Sequence, residues 1–527
     1  MRKLLLLILG FLVVIVGFFA FSVVYSKSKV NLFFTANDGV LYKDNMRGIT
    51  WKVSSPANET LNGEYTTEVL FYDTKIAVLE HKVKFGFQSL NLFKIGSIET
   101  EIKTTEADSS ESEFGGIYDF RNVIAPDELR KAFNFLSSTN LSSDIRFSGI
   151  DIKIDLKEGS KKIESKDEIF DLTWKDVKGN YLVSFEKDTI DLDFEIPYFA
   201  SNMNSAEGGN ASFVIENQRY AGHVSKRKVG IWLGVFLTKI DKISVESAFK
   251  KETYNYDNYY DYGYDDYSDD LDDSDEYYDE PSEDYTASKD EEEVEIVNTN
   301  FVLSGLEIAS NTKEGDNSTI TSNSIISAKN FALGGEDNLT LDDIVFNVDF
   351  QNIDLQSMKK ILDSFENIDL QSATEVELLL FGTSFLSYIP DILAKHPKIV
   401  INELSAKYAN QTHKIDGFAQ YIGSGDLQKV YANIDNDIVM KINFDLGENL
   451  FREFFRQKAY KNSYGYDTED KEAFEKNVAN EITLNIGALE ERFGVKPKDG
   501  AYKGIFEFKN GDFLMNGKPY EVNADIF

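Results

Sequence analysis

The residues that could act as ligands, bases or nucleophiles are few and scattered. Four histidines, His81, His223, His396 and His413, stand far apart, with no i,i+4 pair and no HExxH-type grouping. Each reads as a surface or turn residue, and His396 precedes Pro397, a position that suits a helix end. Cysteine is absent, which excludes a thiol nucleophile, a disulfide framework and any Cys-ligated metal site. Carboxylates are abundant. Asp151, Asp155, Asp191 and Asp193 alternate with apolar residues. A pair of carboxylates about 5–10 Å apart could hydrolyse a glycosidic bond. Alternation of this kind, however, marks the wet face of a sheet. No Walker loop, GxSxG elbow or GxGxxG turn occurs in the required setting. The sequence therefore nominates no catalytic, cofactor-binding or metal residue.

Charge narrows the partners. The 527 residues carry a formal net charge of −35, which opposes binding to a phosphate backbone. Residues 252–295 hold 20 Asp or Glu, ten tyrosines and one basic residue, Lys289, so that stretch alone carries 1 − 20 = −19. Self-repulsion and scarce aliphatic residues predict a disordered linker there. It fails the EF-hand pattern, leaving weak cation binding at most. Tyrosine pairs such as Tyr259-Tyr260 and Tyr277-Tyr278 are candidate stickers for a basic partner. Six Asn-x-Ser/Thr sites include Asn338 in an acidic setting, which chance in an acidic chain explains.

The first residues read as a membrane anchor. Arg2 and Lys3 precede an uncharged, mainly apolar run over residues 4–24. At 1.5 Å per residue such a run spans about 30 Å, the thickness of a bilayer core. A cleaved signal peptide would have a shorter apolar region. Lys27 and Lys29 weaken the charge asymmetry, but the usual orientation leaves the N-terminus in the cytoplasm and exports the remainder. The expectation is a single-pass inner-membrane protein with its bulk in the periplasm.

Beyond the anchor the main signal is period-two alternation. It runs through residues 151–157, 190–196, 344–350, 439–444 and 504–509. Asn-Gly pairs in Lys509-Asn-Gly-Asp and Met515-Asn-Gly-Lys predict tight hairpins. Only 8 prolines interrupt the chain, so long strands are permitted. Helices are expected over 125–136, 355–365, 375–395, 448–461 and 470–480, while 482–493 reads as beginning in a strand. The 378–393 segment is broken by Pro390 and Asp391 and is too short to span a bilayer. The fold class is thus α+β and strand-dominated: an N-terminal transmembrane helix, then long antiparallel sheets with a few packed helices. The divisions are 1–27 anchor, 28–250 β-rich region, 251–296 acidic Tyr-rich linker and 297–527 second β-rich region with helices.

Several stretches together resemble a known family. They are Tyr42 with Arg47-Gly48-Ile49 and the following 50–53; Val229 to Gly234 with Ile240 to Val245; Ile344 to Leu355; and Gly504 to Gly511 with Leu514 to Lys518. With the N-terminal run, they resemble the YdgA-like family of Gram-negative envelope proteins, a family of unknown function. The resemblance spreads over most of the chain. It implies an inner-membrane anchor and a periplasmic body, and supplies no catalytic residues. The chain lacks a clear His-Gly-Pro after its early strands, and the acidic stretch lies outside the family pattern.

The functional expectation is a non-enzymatic envelope protein that binds an apolar ligand or lipid on a long sheet surface, similar in outline to lipid-bridge proteins of the AsmA type. The alternatives are an envelope scaffold that binds proteins through sheet edges or the acidic stretch, and a carboxylate-dependent glycan hydrolase. No cofactor, metal or nucleic acid is expected.

Overall fold

The computed structural model describes residues 24–527 except 106–129, 131–139, 251–295, 368–374, 463–470, 521–527, the loops 36–38, 45–47, 55–62, 86–93, 165–167, 206–208 and 335–338, and residues 73, 228 and 494. The anchor segment 4–24, apart from Val24, lies outside the described residues. So do the acidic stretch and the 125–136 segment apart from Arg130.

One antiparallel sheet organises the chain. Six short strands open it: β1 (Val40–Asp44), β2 (Ile49–Val53), β3 (Glu64–Phe71), β4 (Thr74–Phe85), β5 (Lys94–Thr104) and β6 (Asn140–Arg146). Then come β7 (Gly149–Leu156), β8 (Gly159–Glu164), β9 (Glu168–Lys175) and β10 (Val177–Ser184). These four make two long rungs. β7 pairs with β10 and β8 with β9, and β9 and β10 lie end to end along one edge of β11 (Thr189–Ser205). Long strands follow: β12 (Asn210–Lys226), β13 (Trp232–Lys250), β14 (Ile296–Glu314), β15 (Thr319–Gly334) and β16 (Leu339–Asp354). The sheet closes with β17 (Lys398–Tyr408), β18 (Gln411–Tyr421), β19 (Ile438–Gly447), β20 (Ala501–Lys509), β21 (Asp512–Met515) and β22 (Lys518–Pro519). Each rung pairs with the next in sequence, so the topology is an uninterrupted meander.

The two strand-rich halves belong to this single sheet. β13 and β14 pair from Gly234↔Thr312 to Lys250↔Ile296, and the acidic stretch connects their ends. Both Asn-Gly hairpins form as the sequence predicts. Asn510-Gly511 and Asn516-Gly517 all have positive φ, as the two central residues of a type I′ turn require. The sheet's outermost strands are five and two residues long.

Helices fill the connections. α1 covers residues 24–35. α2 (Leu355–Asn367) and α3 (Glu375–Leu393) link β16 to β17, and α4 (Leu427–Asp437), unforeseen in the sequence, links β18 to β19. α5 (Glu448–Asn462) and α6 (Lys471–Phe493) precede β20. The strand expected from residue 482 is instead the second half of α6. Val478, Ile482 and Ile486 recur every four residues on its inner side, a helical period. No helix among the described residues is long and apolar enough to cross a membrane.

Candidate functional site: an uncharged sheet face

Opposed residues in an antiparallel pair share a face, so register alone traces what each face carries. One unbroken row crosses sixteen strands. It runs Tyr65, His81, Thr100, Leu141, Ile154, Gly179, Phe194, Tyr220, Thr238, Ile308, Ile326, Phe346, Leu404, Ile415, Phe444 and Gly504. No Asp, Glu, Lys or Arg stands in it. At about 4.8 Å between strands it extends about 70 Å. A parallel row runs from Ile152 through Tyr181, Leu192, Gly222, Phe236, Ser310, Ser324, Val348, Ile401, Gly417 and Ile442 to Phe506, again without a charge. Hydroxyls interrupt the apolar surface at β14 and β15, where Thr312 and Ser322 bond to each other at 2.8 Å.

Aromatic rings lie across glycines on this face. A Cβ on Gly179 would sit 2.2 Å from Phe194, and one on Gly504 would sit 2.4 Å from Phe444. A side chain at either place would have to displace the neighbouring ring, which covers the gap the glycine leaves.

The long strands keep this face apolar through a shared break in alternation. Below the break the apolar positions are Ile196, Ile240 and Leu306. Above it they are Phe199, Ile243 and Leu303, three residues away rather than two. The register stays constant across the step. Pro197, Asn217, Asp241, Gly305, Lys329 and Asp343 form one unpaired row there. Asn217, Gly305 and Asp343, on alternate strands, have φ of 50°, 62° and 46°. A left-handed residue interrupts the alternation of peptide planes, so flanking residues exchange faces. The apolar sets on both sides of the break thus share one face. At Gly305 the Lys329 side chain also lies where a Cβ would be, so a larger residue there would have to displace it.

The opposite face is charged. Arg219 pairs with Asp193, Lys239 with Glu307, Lys242 with Glu216 and Lys441 with Glu507. The strand carboxylates singled out in the sequence all fall here. Asp155 meets Lys157, and Asp191 meets His223 Nδ1 at 2.5 Å. Asp151 departs from the expected wet position. It is buried at 3% exposure and bonded by Arg146. Each of these carboxylates has a cationic or histidine partner, and no group of three or more potential metal ligands occurs among the described residues.

Two histidines depart from the surface placement. His81 is buried, with Nε2 3.0 Å from Thr67 Oγ1 and Nδ1 2.9 Å from Thr100 Oγ1. Burial pushes its pKa down to about 4. His413 is buried too, its Nδ1 accepting from the Gly447 amide at 3.0 Å, and burial lowers its pKa. His223 and His396 are exposed, the latter with φ 54° just after α3.

Among the described residues, the uncharged face is sealed at its ends and bare in the middle. At the N-terminal end α1 lies over it: the Phe34 ring stacks on Tyr65 at 4.3 Å and approaches His81 at 5.2 Å. Val30, Ile145 and Ile95 are fully buried in that cluster, with Phe185 and Ile98 beside them. At the C-terminal end Phe451 of α5 packs edge-on against Tyr502 at 5.2 Å, within a cluster that takes in Val495, Phe444 and Met515. Tyr502 donates to Glu490 at 3.1 Å, and its pKa is pushed up to about 12, mainly by burial. Between these caps, Trp232, Phe236, Ile326, Phe346, Phe350, Ile399 and Leu404 on β13 and β15–β17 remain exposed, Ile399 at 44%. A patch of adjoining large apolar residues is unusual on a free surface.

Fold and surface together define a strand-meander protein with one charged and one uncharged face. The chain belongs to a bacterial family described as "Bacterial protein of unknown function (DUF945)", which matches residues 82–523. No curated protein and no solved structure matches it.

Proposed function

We propose that the chain binds apolar ligands of the acyl-chain lipid class along its uncharged sheet face, without catalysing a reaction. The observation that carries this is the pair of charge-free rows with their half-exposed aromatic and aliphatic residues between two sealed ends. Half of a 30 Å bilayer core is the reach of one acyl chain, so about four chains would fit end to end along the row of about 70 Å. Burying exposed Phe and Ile surface would contribute roughly 25 cal/mol per Å2 of apolar area. The polar partners at β14 and β15 are hydroxyls, suited to an ester or head group rather than to an ion. Within its family the chain is proposed to be of the YdgA-like kind, anchored in the inner membrane by residues 4–24, with the sheet in the periplasm and serving envelope maintenance.

Native mass spectrometry and lipid extraction test this on the full chain purified from its own envelope in mild detergent. Stoichiometric phospholipid, lost in Phe346→Asp, is the expected result. A lipid-free protein at its sequence mass would overturn the proposal.

A further inference from the structure

The helices and turns of the structure distribute unevenly between the two ends of the long strands. α1 meets one rim only. Tyr25 donates to the Phe147 carbonyl at 3.2 Å in the β6–β7 turn, and Lys29 pairs with Glu186 at 3.5 Å in the β10–β11 turn. The same rim carries α2 and α3. Lys359 of α2 crosses Gly230 in the β12–β13 turn, where a Cβ would lie 2.7 Å from it. Lys395, just after α3, donates to the Asn317 carbonyl at 3.1 Å in the β14–β15 turn.

α2 and α3 form a hairpin, held by Lys360, which approaches Asp391 at 3.8 Å and lies over the Tyr388 ring at 5.6 Å. Leu355 at its base is buried with Ile231, Leu233 and Ile320. Farther out, Met358 and Leu362 on α2 and Leu386 on α3 are exposed, Leu386 at 49%. α3 contains three charged residues in 19, Glu375, Glu377 and Asp391. Interrupted by Pro390 and carrying Asp391, α3 is not built to cross a bilayer.

Two further facts fix which surface covers it. The chain enters this rim at α1 directly from the uncharged run 4–24, which is long enough to span a bilayer. The opposite rim receives the acidic stretch, inserted where Lys250 pairs with Ile296, and its −19 charge would be repelled by anionic lipid. Lys226, the last residue of β12, and Arg227 in the turn after it lie on the rim of α1, with Glu314 facing Arg227 at 4.0 Å.

We propose that the α2–α3 hairpin docks on the bilayer surface, through Met358, Leu362 and Leu386, so that the sheet stands with its strands pointing away from the membrane. This rests on the anchor assigned to residues 4–24, and it is independent of whether the sheet face carries lipid.

The absence of cysteine makes the test clean. Leu386→Cys, Met358→Cys and, toward the opposite rim on the charged face, Glu246→Cys are each made in the full chain. Each is labelled with an environment-sensitive fluorophore and reconstituted into phosphatidylethanolamine–phosphatidylglycerol vesicles. Doxyl-labelled lipid is expected to quench the label at Leu386 and Met358 at least about twofold more than at Glu246, as for side chains seated in the interface. Equal quenching at all three positions, or failure of the full chain to join vesicles, would overturn the proposal. Copurified lipid without quenching at Leu386 would sink docking alone. Quenching without copurified lipid would sink lipid carriage alone.

Discussion

Phe34 and Phe346 lie over the same uncharged sheet face, and their surroundings differ. Phe34 is 3% exposed, enclosed between α1, Tyr65 and His81. Phe346 is 40% exposed, although its opposed neighbours Ile326 and Leu404 are equally apolar. The sheet supplies both sites with the same pleat and spacing; among the described residues, only the N-terminal one has a helix over it. Where a helix covers the face, apolar residues hold the fold together. Where no described residue covers it, the same residue types are left exposed.

That difference yields a graded set of outcomes. Phe34→Ala should cost about 3–5 kcal/mol of stability in urea unfolding, because it leaves a cavity in a closed core. A cost below about 1 kcal/mol would mean that α1 does not seal the face.

His81 sharpens the contrast through pH. Burial favours its neutral form, holding the pKa at about 4 against 6.5. Its contribution is complete above pH 6.5 and is lost as pH falls from 6.5 toward 4, by about 3 kcal/mol in all. His81→Gln should therefore flatten the stability profile between those pH values relative to the native chain. Parallel profiles would show that His81 is solvated.

In the open middle, Phe346→Asp should weaken binding of a fluorescent fatty acid about tenfold, equivalent to ~1.4 kcal/mol. Its unfolding free energy should change by only about 1 kcal/mol. A large stability loss with unchanged binding would make the middle an ordinary core. The smallest effect belongs to the charged face: Arg219→Ala, which removes an exposed pair with Asp193, should shift stability within about 0.5 kcal/mol and leave fatty-acid binding unchanged.

Much of the architecture is written locally. Asn510-Gly511 and Asn516-Gly517 specify their turns because only residues that accept positive φ permit a type I′ hairpin. Alternation in 190–196 and 344–350 specifies strands because one side must avoid water. The second half of α6 misled because Gly487 and short apolar steps obscure a period that only its neighbours on 478 and 486 complete. His81 and His413 read as surface residues in the sequence because nothing adjacent to them reveals that Thr67, Thr100 or the Gly447 amide meets their rings.

The sequence by itself determined that this is a strand-rich, cysteine-free, strongly acidic chain with an apolar N-terminal run. Those properties depend on composition and on neighbours within a few residues. Tertiary structure alone decided that the strands share one sheet, and that uncharged residues from sixteen of them fall in one row. It also decided that Asn217, Gly305 and Asp343 line up to turn both halves of the long strands toward the same side. The physical reason is register. Which residues stand opposite one another is set by pairing between segments far apart in the chain, and a shift of one residue would exchange the charged and uncharged faces.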